Sequence, residues 1–311
     1  MAKMIGRRLL MLIPVLLGVS IIIYSIMSLT PGDAATLMLG DAASAESVAK
    51  LRAELGLDGG FVERYVRWLT GVLTGDFGIS YKSRNPVFME VFQRFPNTVK
   101  LALTAIAISS IFGVLFGILS AVKQYTLIDN IVVAGTLLLS SVPDFWLGLM
   151  MILLFAVKLK WLPLSGTDHW YNFIMPGIAA ASHYLANTIR MTRTSMLDVI
   201  RADYVRTARA KGCAERTVIF QHALRNALLP VVTLIGVNMG WQLGGTVITE
   251  QVFAIPGMGS LMIQSIRQKD TPVVLGALVF VALLSSLINL ATDVLYAYID
   301  PRIKSQYVKA K

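Results

Sequence analysis

Ionisable and amide side chains set inside apolar stretches are the residues of this chain whose type and spacing could do chemistry. Asp144, in the run Val142-Pro143-Asp144-Phe145-Trp146, stands beside a proline that should kink one such stretch, and Arg190 and Asp293 lie near the ends of two others. His183, Asn187 and Thr188 recur about one helical turn apart, and Asn238 and Gln242 form a similar stripe. Charged groups at membrane depth are costly and face protein or water. These stripes therefore suit a pathway lined by weak hydrogen-bonding groups, or bonds between helices. No catalytic constellation emerges from them. There is no Ser/His/Asp arrangement, no His-Glu-x-x-His and no close carboxylate pair within a stretch. The histidines, His169, His183 and His222, lack ligand spacing, so no metal site is expected. A phosphate-binding loop needs Gly-Lys-Ser/Thr, and Gly-Lys occurs nowhere in the chain. Whatever energy the protein uses must arrive from outside.

A second group of residues is suited to docking. Between two apolar stretches runs a basic loop, residues 190–227, punctuated by Gly212. Residues 195–211 read as one helix, with Met196, Val199, Ile200 and Ala208 giving it apolar sides. Lys211 complements its dipole, and Gly212 is placed where a positive φ is cheap. Glu215 opens a second helix to about Asn226, and Pro230 follows as the next apolar stretch begins. Two short helices joined at a glycine corner make a rigid knob that can transmit force, because displacing it tilts the segments on either side. A merely solvated basic loop would explain the arginines, but not the corner or the apolar Val218, Ile219, Phe220 and Leu224. Cys213, the only cysteine, leaves no intrachain disulfide and reads as a small loop residue.

The elements that must position these groups are membrane spans. Hydrophobic residues make up 55% of the 311 and charged residues 15%, with a mean hydropathy of +0.66; soluble domains carry roughly 25% charged residues. Apolar runs long enough to cross ~30 Å of hydrocarbon fall at about 9–29, 98–122, 131–157, 173–189, 228–249 and 273–297. Six spans put the N-terminus, Lys123, the 190–227 loop and the tail after Asp300 on one side, with sixteen Lys and Arg among them. The short loops opposite hold four, so both termini are expected inside. The net charge of +10 is then a topology signal, not a nucleic-acid patch. The first run is too long for a signal-peptide core and reads as an uncleaved helix.

Two connections have patterns of their own. In 30–97, Ser44 reads as the N-cap of a helix ending before Gly56, with Glu46 in its first turn. Val62, Tyr65, Val66, Leu69, Val72 and Leu73 mark a second helix, ended by Gly75-Asp76-Phe77-Gly78. This predicts an extracytoplasmic helical cap. In 250–272, Ile255-Pro256-Gly257-Met258-Gly259 forces a turn before a short helix, which reads equally as a gate or as a packed surface element. Gly236, Gly240 and Gly244 line one face of the fifth span, and Gly113 and Gly117 one face of the second. Such spacing permits close helix packing, within the subunit or between subunits.

The loop resembles the EAA loop of bacterial ABC importer permeases, in the form used by the oligopeptide/dipeptide/nickel branch. Residues 203–212 and 222–230 carry the match. The general EAA motif would put Glu at Arg206 and Ala at Thr207, with its proline closer to the glycine; this chain departs there, as the peptide branch does. Further matches are Arg7-Arg8, Ile13-Pro14, Pro31-Gly32-Asp33, Gly75-Asp76-Phe77-Gly78, Val142-Pro143-Asp144-Phe145-Trp146, Trp161-Leu162-Pro163, Ile255-Pro256-Gly257 and Asp300-Pro301-Arg302. The resemblance implies an all-α type I (MetI-like) permease of six helices in the bacterial inner membrane, with residues 1–97 as the first span plus cap and 98–311 as the core. It implies a homologous second permease, two ATP-binding subunits and an extracytoplasmic substrate-binding protein, with ATP and Mg on partner subunits and no cofactor on this chain. The expected ATPase-coupling surface is Arg206, Thr207, Ala208, Ala210, Lys211, Gly212, Ala214, Thr217, Phe220, His222 and Arg225. The expected path residues are Asp144, His183, Asn187, Asn238 and Gln242. Di- or oligopeptides are the expected cargo, with nickel chelates, glutathione or other solutes as alternatives. A passive channel, an intramembrane enzyme and a membrane sensor or scaffold are the rival classes. The channel has no use for the knob, and the enzyme would need a paired acid/base or metal site that is not visible. The scaffold fits the helices and knob and would be favoured by an absence of ligand flux.

Overall fold

A computed structural model describes residues 2–30, 32–40 and 43–299. Pro31, Asp300-Pro301-Arg302 with the basic tail, and the side chain of Asp293 lie outside the described residues. Apart from one isolated bridge between Ile79 and Pro86, the described secondary structure is helical. The chain divides into two compact units, residues 1–98 with 256–287 and residues 99–255 with 288–311.

In the first unit, α1 (Ala2–Leu29) is followed by three short helices, α2 (Ala34–Leu39), α3 (Ala45–Glu54) and α4 (Phe61–Leu73). Ser44 caps α3 by accepting from the Ser47 N–H at 3.2 Å, a bond worth about 0.5–2 kcal/mol. Helix α4 stops where Gly75 and Gly78 take φ of +87° and +83°, a backbone region that side chains avoid. Its inner face joins Tyr65 to Tyr24 of α1, with ring centroids 5.3 Å apart, and the Tyr65 and Ser20 hydroxyls meet at 2.9 Å. The short helix expected after the Pro256 turn is α13 (Met258–Arg267), which follows α12 (Val247–Val252) in the chain. Met258 and Leu261 are buried against Val87, Val91, Val273 and Ala277, so the element is packed within its unit. Behind α13, the buried Asp270 carboxylate accepts from the Ser80 hydroxyl and from the Tyr81 N–H at 3.1 Å. Burial and this neighbouring carboxylate push the Tyr81 phenol up to about 12.

Helix α5 (Val87–Val122) starts eleven residues before the apolar run read from sequence and carries Pro96 inside it. The run read as one span over 131–157 is instead two helices, α6 (Leu127–Ser141) and α7 (Asp144–Met151) extended to Lys158, meeting at 105°. Pro143 supplies no N–H and restrains Val142 to extended backbone, so the kink expected there is a full break. Helix α8 (Ile174–Ile200) is 27 residues long, but its polar residues keep it outside the apolar class. Four described helices are long and apolar enough to cross a membrane, or five with the bent pair.

In the second unit, α8 carries the packing of its neighbours. Gly113 and Gly117 of α5 lie directly under Thr188 and Thr192, where a Cβ at Gly113 would come within 2.6 Å of Thr188. Leu101, Met175, Ala181, Phe253 and Ile255 form a second buried cluster. Leu10, Ile22, Leu115, Leu137, Leu138 and Trp241 remain exposed on the long helices, which fits a lipid or protein environment.

Candidate coupling interface and polar path

The basic loop is built from α8 onward. Residues 195–211 are not one helix: α8 ends at Ile200, the chain breaks at Arg201-Ala202, and α9 runs Asp203–Ala210. Gly212 has φ +79°, its N–H reaches the Arg209 carbonyl at 2.9 Å, and the Cys213 N–H reaches the Ala208 carbonyl at 3.3 Å. This pair of bonds is the Schellman closure of a helix end. Ala208, Val205, Val218 and Cys213 pack together inside the corner.

Across the corner, Arg209 grips Glu215 with two parallel bonds of 3.1 and 2.8 Å. The Arg209 guanidinium holds the Glu215 carboxyl below its usual range, and Glu215 holds Arg209 above its own. The second helix does not end near Asn226. Glu215–Thr217 (α10), a wider π-type stretch Val218–Ala223 and α11 (Leu224–Gly245) follow one another without a gap, with Pro230 inside. Ile219, Ala223 and Ala227 are buried against Ile118 and Ala121 of α5 and Met196 of α8. The knob is therefore a short helix, a clamped corner and the root of a long helix.

Of the expected docking residues, Arg206, Thr207, Ala210, Lys211, Gly212, Ala214, Phe220 and Arg225 are exposed, and Thr217 and His222 are half-buried. Ala208 is a correction: it is 8% exposed and belongs to the inside of the corner, where the helix closure places it. Phe220 is a large aromatic left 53% exposed.

The expected path residues separate. The Asp144 carboxylate, in the first turn of α7, accepts from Ser182 of α8 at 2.8 Å, a partner the sequence did not flag. His183, next along α8, is exposed. Asn187 accepts a bond from Arg190, whose other nitrogen lies 3.5 Å from Ser140. Asn238 is half-buried on α11. Gln242 is 2% exposed and donates to the Ala180 carbonyl at 3.1 Å. Of the two roles its stripe left open, the bond between helices is the one occupied. Gly240 is filled by Asn289 of α14 (Thr271–Ile299), whereas Gly244 has open space around it.

The largest polar feature that sequence reasoning missed lies at the base of the unit. The Asp129 carboxylate, on a residue 3% exposed, takes the Nε and Nη2 of Arg193 at 2.9 Å each, the Ser120 hydroxyl and the Tyr125 N–H at 3.0 Å. Asp129 lies just outside the run 131–157, so the sequence does not mark it as a charge within a span. Its partner is 64 positions away.

The family described as "Binding-protein-dependent transport system inner membrane component" matches residues 113–305, and its N-terminal companion matches residues 1–102. The glutathione transport system permease protein GsiC of Salmonella paratyphi A is 40% identical over 304 residues, covering 98% of this chain and 99% of that protein. The dipeptide transport system permease protein DppB of Alkalihalophilus pseudofirmus is 39% identical over 326 residues, covering 96% and 98%. Among solved structures, an inward-facing MetNI methionine ABC transporter chain aligns with a TM-score of 0.58 at 19% identity, over 68% of this chain and 97% of that one. At that identity the likeness shows a shared fold.

Proposed function

This chain belongs to the binding-protein-dependent transport system inner membrane components, which makes it an ABC transporter permease of the inner membrane, and on that premise we propose that it forms half of the path of a peptide importer. Small peptides are the cargo, glutathione included. The glutathione and dipeptide permeases it resembles carry amide-linked amino acids bearing free carboxylates and amines. A homologous second permease completes the path, and Val237, Trp241 and Gly244, on one exposed face of α11, are the surface it would cover. Six segments cross the bilayer with both termini inside; α8 and the bent α6–α7 pair count as two of them. Residues 30–97 then form the extracytoplasmic cap, facing the binding protein.

Two ATP-binding subunits dock on the loop through Arg206, Thr207, Ala210, Lys211, Gly212, Ala214, Phe220 and Arg225, with Thr217 and His222 at the rim. ATP and Mg belong to those subunits. Their closure displaces the corner and shifts the permease between inward- and outward-open packings. Moving such an equilibrium from 1:99 to 99:1 needs about 5.5 kcal/mol of differential ATP affinity. Asp144, His183, Asn187 and Asn238 line the path. The observation that carries this reading is the clamped Gly212 corner, rigid on its inside and exposed on its outside.

The test is Gly212→Arg in the assembled transporter. The variant is expected in the membrane at wild-type level with peptide uptake abolished; normal uptake would refute the coupling role. A deletion across 213–221 is a poorer test, because it removes the buried Val218 and Ile219.

A further inference from the structure

We propose that Asp129 and Arg193, with Ser120, are positioning residues for transport, through which displacement of the coupling loop reaches α6 and its 105° bend. This rests on the coupling role proposed for the loop.

The loop meets the rest of its unit in two ways. Ile219, Ala223 and Ala227 lie on Ile118, Ala121 and Met196 through apolar contacts, which are non-directional and permit sliding. The Arg193–Asp129 fork is different. Two parallel charge-assisted bonds fix both distance and orientation. Arg193 lies two turns before the end of α8, just upstream of α9, while Asp129 is in the first turn of α6. Ser120, in the last turn of α5, donates to the same carboxylate and accepts from Arg193 Nε at 3.0 Å.

A second link reinforces the first. Arg201, at the end of α8, donates to the Gln124 side chain at 3.2 Å. Arg201 thus holds the 123–126 turn directly and Arg193 holds it through Asp129, which accepts from the Tyr125 N–H. Tyr125 keeps a φ of +63°, a conformation a tyrosine does not adopt without support. Motion of the end of α8 must carry this turn with it. Beyond the turn, α6 is a helix of about 22 Å that ends where Val142-Pro143 breaks into α7, whose first residue, Asp144, is bonded back to Ser182 of α8. The loop therefore reaches the polar residues of the path through α6 as well as through its flanking helices.

A buried ion pair is weak evidence for stability, and replacing both partners with apolar residues is often tolerated, whereas losing one leaves a charge uncompensated. That contrast supplies the test. The complete transporter, with its partner permease, ATP-binding subunits and binding protein, is reconstituted carrying Asp129→Leu with Arg193→Leu, Arg193→Lys alone, or Gly212→Arg. Uptake of labelled alanyl-alanine and glutathione is measured per ATP hydrolysed, alongside thermal melting of the complex. The double Leu variant should melt within a few degrees of wild type yet lose at least about tenfold in uptake per ATP. Arg193→Lys, which keeps the charge but loses the fork, should fall between the two. A double Leu variant with wild-type uptake per ATP would overturn the inference, as would a loss of uptake merely proportional to loss of folded complex. Gly212→Arg separates the two levels: if it alone transports normally, the loop reading fails, whatever the pair does.

Discussion

Arg209 faces Glu215 across Gly212 and donates two hydrogen bonds, of 3.1 and 2.8 Å, to its carboxylate, so the turn that redirects the chain from α9 into α10 is held by backbone and side chains together. The closure at Gly212 sets the direction of the turn, and the ion pair limits how far the two helices can open. Both partners are substantially exposed, at 37% and 58%, and solvent screening limits such a pair to about 0.2–1 kcal/mol. Its value is geometric.

Neutralising the clamp should loosen the corner without unfolding the protein. Glu215→Gln is expected to raise amide hydrogen exchange at Gly212 and Cys213 severalfold while melting stays within a degree or two. The pH dependence follows from the shifts. Glu215 is depressed in the folded protein, so its contribution is complete above the ordinary glutamate range and disappears as pH falls through its folded value. Arg209 stays charged throughout. Corner exchange, corrected for intrinsic rate, should be flat from pH 5 to 8 and rise only below about pH 4, near the ordinary glutamate value. In Glu215→Gln that acid rise should be absent.

Gly212 should tolerate substitution in an order set by backbone alone. A Cβ there meets nothing within 4 Å, so the only cost is the positive φ. Asn, which accepts this region, should cost least; Ala should cost about 1–2 kcal/mol, and Val more. Uptake by Gly212→Asn, Gly212→Ala and Gly212→Val should fall in that order, and equal uptake by all three would show that the corner needs no left-handed residue.

Gln242 separates brace from path. If its amide serves the Ala180 carbonyl, Gln242→Leu removes one hydrogen bond at about 0.5–1.5 kcal/mol and leaves cargo preference unchanged. Gln242→Glu, which buries a charge, should melt markedly lower. A changed cargo preference in Gln242→Leu at normal stability would return Gln242 to the path.

Alkaline behaviour should report on the first unit. Tyr81 is raised to about 12 by burial and the Asp270 carboxylate, so its contribution is whole below its unfolded value near 10 and is lost as pH rises through the folded one. Melting temperature should drop between pH 10 and 12 in the wild type and drop less in Tyr81→Phe.

What the sequence made legible was local chemistry. Ser44 caps its helix because a hydroxyl finds a free N–H three residues on, and Gly75, Gly78 and Gly212 turn the chain because only glycine takes those angles without cost. What it hid was geometry set by distant partners. Pro143 announces a kink in the run 131–157, but composition carries no angle, so the full 105° break there was not legible. Pro230 looked like a boundary, yet α11 passes through it, as proline is tolerated where neighbouring helices re-satisfy the backbone. Asp129 and Arg193 meet only because α6 and α8 pack together, and no spacing announces that.

The most direct measurement places a photo-crosslinking amino acid at Arg206 in cells expressing the whole transporter, with the same group at Glu46 as control. The account predicts an adduct between position 206 and an ATP-binding subunit, and none from position 46. An adduct from 206 to the external binding protein, or protection of 206 from every partner, would contradict it.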